Sequence, residues 1–85
     1  MIRFSTNDFD WDKASRTFSQ EVSVLHNLLI SDDMPWEFEM VNPKTGNVVL
    51  FKHCLTERDM DNDIKLWAYI GSVNGVALAV TIWND

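Results

Sequence analysis

Residues 64–83 read IKLWAYIGSVNGVALAVTIW, the longest apolar stretch in the chain, with Asn74-Gly75 near its middle. Asn-Gly between two apolar runs is a strong hairpin signal, because both residues tolerate the positive φ of a type I′ turn. A two-residue loop fixes the register. Val73 then faces Val76, Gly71 faces Leu78, Tyr69 faces Val80 and Trp67 faces Ile82. Side chains alternate along a strand, so these eight share one face, and its bulk marks it as core. The other face pairs Ser72 with Ala77, Ile70 with Ala79, Ala68 with Thr81 and Leu66 with Trp83. A solvated face would alternate to charge, and this one does not. Leu66, Ile70, Ala79 and Trp83 are therefore expected to lie under a cover. Either Phe9, Trp11 or Phe18 supplies it, or a partner does, a second copy of the chain included.

The stretch before this hairpin continues the sheet. Pro35 opens a strand in which Trp36, Phe38 and Met40 alternate with Glu37, Glu39 and Val41. Asn42 to Gly46 carries turn chemistry, since Pro43 presets φ and Gly46 supplies a left-handed position. Pairing Asn42 with Asn47 sets Met40 opposite Val49, Phe38 opposite Phe51, Trp36 opposite His53 and Glu37 opposite Lys52. Aromatic and opposite-charge pairs both match. The loop from Glu57 to Asp63 leads into the final hairpin. A two-residue turn at Asp61-Asn62 would bring Lys52 and Cys54 to the Trp67 face. A three-residue turn, Asp61 to Asp63, brings Phe51, His53 and Leu55 there instead, sets Asp59 opposite Lys65 and leaves Glu57 opposite Trp67. The second is preferred for its continuous apolar face. The expected core face carries Trp36, Phe38, Met40, Val49, Phe51, Leu55, Trp67, Tyr69, Leu78, Val80 and Ile82.

Ser19 to Ile30 reads as a helix. Ser19 is an N-cap candidate, Glu21 suits the first turn, and Val22, Leu25, Leu28 and Leu29 make one stripe. Met1 to Phe4 reads as a short strand, and Arg16 to Ser19 as a second carrying Phe18. In Asp8-Phe9-Asp10-Trp11-Asp12 the acids alternate with rings, as in an extended segment with its rings inward. Asp12 to Ser15 reads as a turn. The expected fold is one α+β domain over residues 1–85. It is mostly antiparallel sheet, with a C-terminal four-stranded meander able to curl towards a small barrel, short N-terminal strands and one short helix on one face.

Thirteen acids against seven bases give a net charge of −6. That disfavours direct binding to nucleic acid or to anionic membranes, both of which need a basic footprint. A single cysteine excludes an intrachain disulfide. No signal-peptide pattern opens the chain and no apolar run approaches the ~20 residues that span a bilayer, so a cytosolic location is expected.

Little in the sequence points to catalysis. His53 and Cys54 are neighbours on a strand, so their side chains diverge and cannot act as base and nucleophile. Cys54 reads as a structural, buried or half-buried thiol. Two histidines and one cysteine lack zinc-ligand spacing. Asp59-Met60-Asp61-Asn62-Asp63 resembles the opening of a calcium loop, but Ile64 replaces the required glycine and Ile70 the bidentate glutamate. No phosphate-binding glycine loop and no singled-out carboxylate pair are present. No metal and no cofactor are expected, and no catalytic residue is assigned.

Surfaces remain. The acidic rows Asp8, Asp10, Asp12; Glu37, Glu39; and Glu57, Asp59, Asp61, Asp63 would each place carboxylates about 6.5–7 Å apart on a strand face. Such rows suit a protein partner with a basic surface, as in a small phage- or plasmid-type inhibitor that occupies a nucleic-acid-binding site. The alternative is a homodimeric structural protein that assembles through Leu66, Ile70, Ala79 and Trp83. A third reading is a small-ligand pocket between helix and sheet, near His26, Trp36 and His53.

Overall fold

The type I′ turn forms at Asn74-Gly75, with φ of 51° and 81° at the two positions. It joins β5 (Ile64–Val73) to β6 (Val76–Asn84), and the ladder keeps the predicted register from Val73↔Val76 to Leu66↔Trp83. The computed structural model describes residues 1–17, 19–31, 33–59, 61 and 64–84. The other strands are β1 (Ile2–Ser5), β2 (Ser19–Glu21), β3 (Glu37–Val41) and β4 (Val48–Asp59), and the helix α1 spans Ser23–Ile30. They build one curled, six-stranded sheet in the order β1-β3-β4-β5-β6-β2.

The C-terminal meander β3 to β6 is antiparallel, as predicted, with Glu37↔Lys52, Phe38↔Phe51 and Met40↔Val49 in register. The two N-terminal strands sit on opposite edges. Each runs parallel to its neighbour, β1 to β3 and β2 to β6, so the sheet is mixed. This follows from the connections. The chain leaves β1, crosses the inner face of the sheet, and reaches the far edge as β2; α1 then leads back to β3.

Those crossings close the core. Phe9 and Ala14 are buried, and the Phe9 ring stands edge-on to Phe51 at 6.0 Å and to Trp11 at 4.8 Å. Gln20 anchors the crossing. Its amide accepts from the Asp10 N–H at 2.6 Å and donates to the Asp10 carbonyl at 2.8 Å. From β2 onward, Val22 and Leu25 of the predicted stripe are fully buried, with Leu28 and Leu29 partly so. Below them lie Phe38, Met40, Phe51, Tyr69, Val80 and Ile82, all without exposed surface. Phe4 stacks on Phe38, and Phe38 on Phe51, at 5.5 and 5.2 Å. Burying each such ring contributes about 1.5–3 kcal/mol relative to exposure.

Several expectations are corrected. Ser19 to Glu21 is strand, so the helix begins at Ser23 and is capped by Val22, with no side-chain cap bond. Ser19 spends its hydroxyl on the Thr81 hydroxyl at 3.0 Å, and its backbone pairs with β6. An eight-residue helix is too short to stand alone, so packing of Val22 and Leu25 holds it. The Asp8 to Asp12 segment is a bend and turn rather than an extended strand. Asp10 Oδ1 accepts from the N–H groups of Asp12 and Lys13 at 3.1 and 3.3 Å, and Thr6 Oγ1 from that of Asp8 at 3.0 Å. Such local bonds compete with strand geometry. Phe18, and the strand read around it, involve a residue outside those described.

The β4–β5 register follows the two-residue reading of its turn near the tip and neither reading beyond it. Near the tip, Asp59↔Ile64, Glu57↔Leu66, Thr56↔Trp67 and Leu55↔Ala68 follow the two-residue alternative. A β-bulge between His53 and Leu55 then shifts the pairing to His53↔Tyr69 and Lys52↔Ile70, a register that neither turn length gives, although its faces are those of the three-residue alternative. One extra residue flips the faces. Phe51 and His53 therefore stay on the core side as predicted, whereas Leu55 turns outward and is 43% exposed. Asp59 opposes Ile64 rather than Lys65, and Glu57 opposes Leu66 rather than Trp67, which removes the buried charge that the predicted register carried.

Candidate protein-binding surface

The outer face of the sheet carries Leu66, Ile70, Ala79 and Trp83 in the predicted register. Phe9 and Trp11 do not cover it, because both pack on the inner face with Phe51. Ala79 is nevertheless buried, beside its β2 neighbour Ser19; Leu66 and Ile70 are half-buried, and Trp83 is 51% exposed. Leu50 and Val48, on the same face, are also exposed.

Part of the apolar exposure, Trp36 and Leu55, lies where β4 outruns β3. The β3 ladder ends at Glu37↔Lys52, and a last bond runs from the His53 N–H to the Trp36 carbonyl at 2.8 Å. Trp36 therefore stands just before the strand, beside the β4 edge, and is 70% exposed. Its ring meets His53 edge-on at 4.9 Å and Trp67 at 6.1 Å. His53 also lies 4.9 Å from Trp67 and 5.8 Å from Tyr69, and its Nε2 shares a 2.6 Å hydrogen bond with Thr56 Oγ1. Lys65 Nζ sits over the Trp67 ring at 4.9 Å. This aromatic group backs the hairpin on the inner side, while Leu55, Leu66 and Trp83 lie on the outer side. Glu57, Arg58, Ile64 and Leu66 line a shallow groove there.

The acidic rows fare differently. Asp8, Asp10 and Asp12 are exposed but lie on a bend, and two of them serve the loop: Asp10 caps the following turn and Asp8 accepts from the Ser23 hydroxyl. Glu39 is held by Arg3 at 3.2 Å, and Glu37 faces Lys52 across the ladder, so the β3 row is countered by bases. Glu57 is exposed, and no ion pair joins it to any described residue. Asp59 closes β4 and Asp61 is exposed. Asp63 lies outside the described residues, as do Met60 and Asn62 of the calcium-like sequence.

Cys54 is exposed rather than buried, because it is the extra residue of the bulge; its thiol donates weakly to the Ala68 carbonyl at 3.5 Å. It and His53 take separate partners. His26 lies 3.6 Å from Glu21 and lines a shallow pocket with Asp8, Ser23 and Asn27. His53 belongs instead to the Trp36 group, and the pocket at His26 includes neither of them. Among the described residues no cluster of three or more His, Cys, Asp or Glu is placed to hold a metal. No helix among them is long and apolar enough to cross a membrane.

Sequence reasoning missed Trp36 and Leu55 as surface residues and placed both in the core. A signal for Trp36 was present: it follows Pro35 directly, at the point where the chain enters the strand. Nothing in the sequence marked the bulge that turns Leu55 outward. Comparison of this chain with protein-family models, curated proteins and solved structures finds no match.

Proposed function

We propose that this protein acts by binding another protein, not by catalysis, and that the far half of the β4–β5 hairpin is its contact surface. The observation that carries the reading is the exposure of Trp36, Leu55 and Trp83 around Glu57, on a hairpin that extends beyond its neighbour strand. Large apolar anchors with a charged rim are the composition of binding hot spots. The acids at this end, Glu57, Asp59 and Asp61 with Asp63 in sequence, favour a partner with a basic surface. A cytosolic inhibitor of phage or plasmid type, seated on a nucleic-acid-binding site, is the sharpest form of this reading.

Capture from host lysate at low and high salt tests it, with the captured protein then purified and its affinity measured. Glu57→Lys and Trp83→Glu are each expected to weaken that affinity tenfold or more, and added salt to weaken it further. Affinity indifferent to salt and to both substitutions refutes the proposal. A second reading rests on the outer face that Phe9 and Trp11 leave uncovered: a homodimer through Leu66, Ile70, Ala79 and Trp83. Sedimentation separates the two, since that reading requires a dimer that Trp83→Glu dissociates.

A further inference from the structure

β4 runs from Val48 to Asp59, but β3 accompanies it only as far as Lys52. The side of β4 beyond His53 is an open strand edge. Which backbone groups it presents follows from the ladder. His53 donates to Trp36, so its N–H points away from β5. Lys52 therefore points towards β5 and bonds Ile70, its ladder partner. On β5 the same direction recurs at Ala68 and Leu66, two and four residues on. Their partners Leu55 and Glu57 then point inward. The N–H and C=O groups of Thr56 and Arg58 are left facing outward. Cys54 to Arg58 is exposed throughout.

From this edge we infer that the protein binds its partner by strand addition: an extended segment of the partner lies along Thr56–Arg58 and continues the sheet. The inference rests on the binding surface proposed above and specifies how it is used. Unpaired strand edges accept such segments through main-chain bonds, with side chains setting specificity. Trp36 on the inner side and Leu55 on the outer side flank the edge as exposed apolar walls.

Charge decides the occupant. In a two-fold antiparallel pairing with a second copy, the register that bonds Thr56 to Arg58 sets Glu57 directly against Glu57. Like charges facing each other across a ladder are destabilising. The register one step away puts Thr56 against Thr56, but it then sets Arg58 against the bulged Cys54, where the alternation breaks. A foreign strand meets neither obstacle. The segment that fits carries lysine or arginine on its outer face, opposite Glu57, and aliphatic or threonine side chains on its inner face, beside Trp36.

A blocked seven-residue peptide that alternates lysine with valine and threonine is the probe. Its control carries N-methyl groups on the bonding amides. Amide hydrogen exchange of the intact protein, read by NMR, should slow on the order of tenfold or more at Thr56 and Arg58 when the peptide is added. The N-methylated control should give no protection. Protection absent at millimolar peptide, or equal with the control, overturns strand addition. If the control still shifts the Trp36 and Leu55 signals, the surface binds but not by pairing strands, so the proposed function survives without this mode. If Thr56 and Arg58 are already protected in a free protein that sediments as a dimer, a second copy holds the edge and the inference is wrong.

Discussion

The Tyr69 hydroxyl donates to the Pro35 carbonyl at 2.7 Å, which ties the centre of the sheet to the segment that presents Trp36. Tyr69 is fully buried, and burial pushes its phenol up to about 12 from an ordinary 10.0. The folded state thus binds this proton more tightly than the unfolded chain. The linked stability is fully present below pH 10 and is lost as pH rises from 10 towards 12. Two units correspond to about 2–3 kcal/mol. Urea unfolding as a function of pH should show that alkaline loss. Tyr69→Phe should abolish the part due to this group, at a cost near neutral pH of about 1–3 kcal/mol for the orphaned Pro35 carbonyl.

Gly71 of β5 lies tight against β4. A β-carbon there would stand 2.8 Å from the Leu50 carbonyl oxygen, 3.0 Å from Val49 Cγ1 and 3.2 Å from Phe51 Cδ1. The nearest of these is backbone and cannot rotate away. Gly71→Ala is therefore expected to cost about 1–3 kcal/mol, although alanine suits a strand better than glycine does. A variant as stable as the parent in chemical denaturation would show that β4 can give way at this contact.

Gln20 holds both main-chain groups of Asp10, so it acts as a short length of strand for the crossing segment. Gln20→Glu keeps the acceptor and loses the donor while ionised. The loss is expected to be about 1 kcal/mol at pH 7. A protonated carboxyl at this position regains the donor, which raises its folded pKa. The deficit should therefore shrink as pH falls below about 4. A deficit unchanged between pH 7 and pH 3 would show that the two bonds to Asp10 do not hold the crossing.

The hairpin and meander were legible because local chemistry dictates them. Asn74-Gly75 can do little else than turn, and the Phe38–Phe51 and Glu37–Lys52 pairs each support the same register. The edges were not legible. Whether residues 19–21 join a helix or a strand depends on β6, which lies sixty residues away, and a serine hydroxyl satisfies either arrangement. The bulge escaped for a related reason. The two-residue turn explained the pairing near the tip, the three-residue turn only the facing of Phe51 and His53, and an extra residue at Cys54 reconciles the two. That residue also moved Leu55 to the outer face and exposed Cys54. The part of the surface that carries the proposed function therefore lies where sequence periodicity breaks.

Trp83 is the most direct handle on the outer face. It is half exposed and pairs with Leu66, one pair before the end of the ladder. Trp83→Glu gives up the buried half of the ring, roughly 100 Å², so the stability loss should not exceed about 2–3 kcal/mol. A larger drop would mean that Trp83 is a structural residue of the sheet, and its loss of binding could not then be read as loss of contact.

Cys54 offers a clean test of the bulge itself. On one side of it the ladder reads His53↔Tyr69, and on the other Leu55↔Ala68. With Cys54 deleted, His53 and Leu55 become neighbours and the same pairs follow one another without an extra residue. Both faces keep their occupants: Phe51 and His53 stay inward, Leu55 and Glu57 outward. The shortened chain is therefore expected to fold with stability within about 1 kcal/mol of the parent, and to retain the stacked Phe38 and Phe51 rings. If the ladder were continuous instead, the deletion would flip one half of β4 and expose core side chains, at a cost of several kcal/mol. Denaturant unfolding tells these outcomes apart. The straightened edge should also bind the lysine-alternating peptide several-fold more tightly, because a bulge bends a strand edge away from incoming strands.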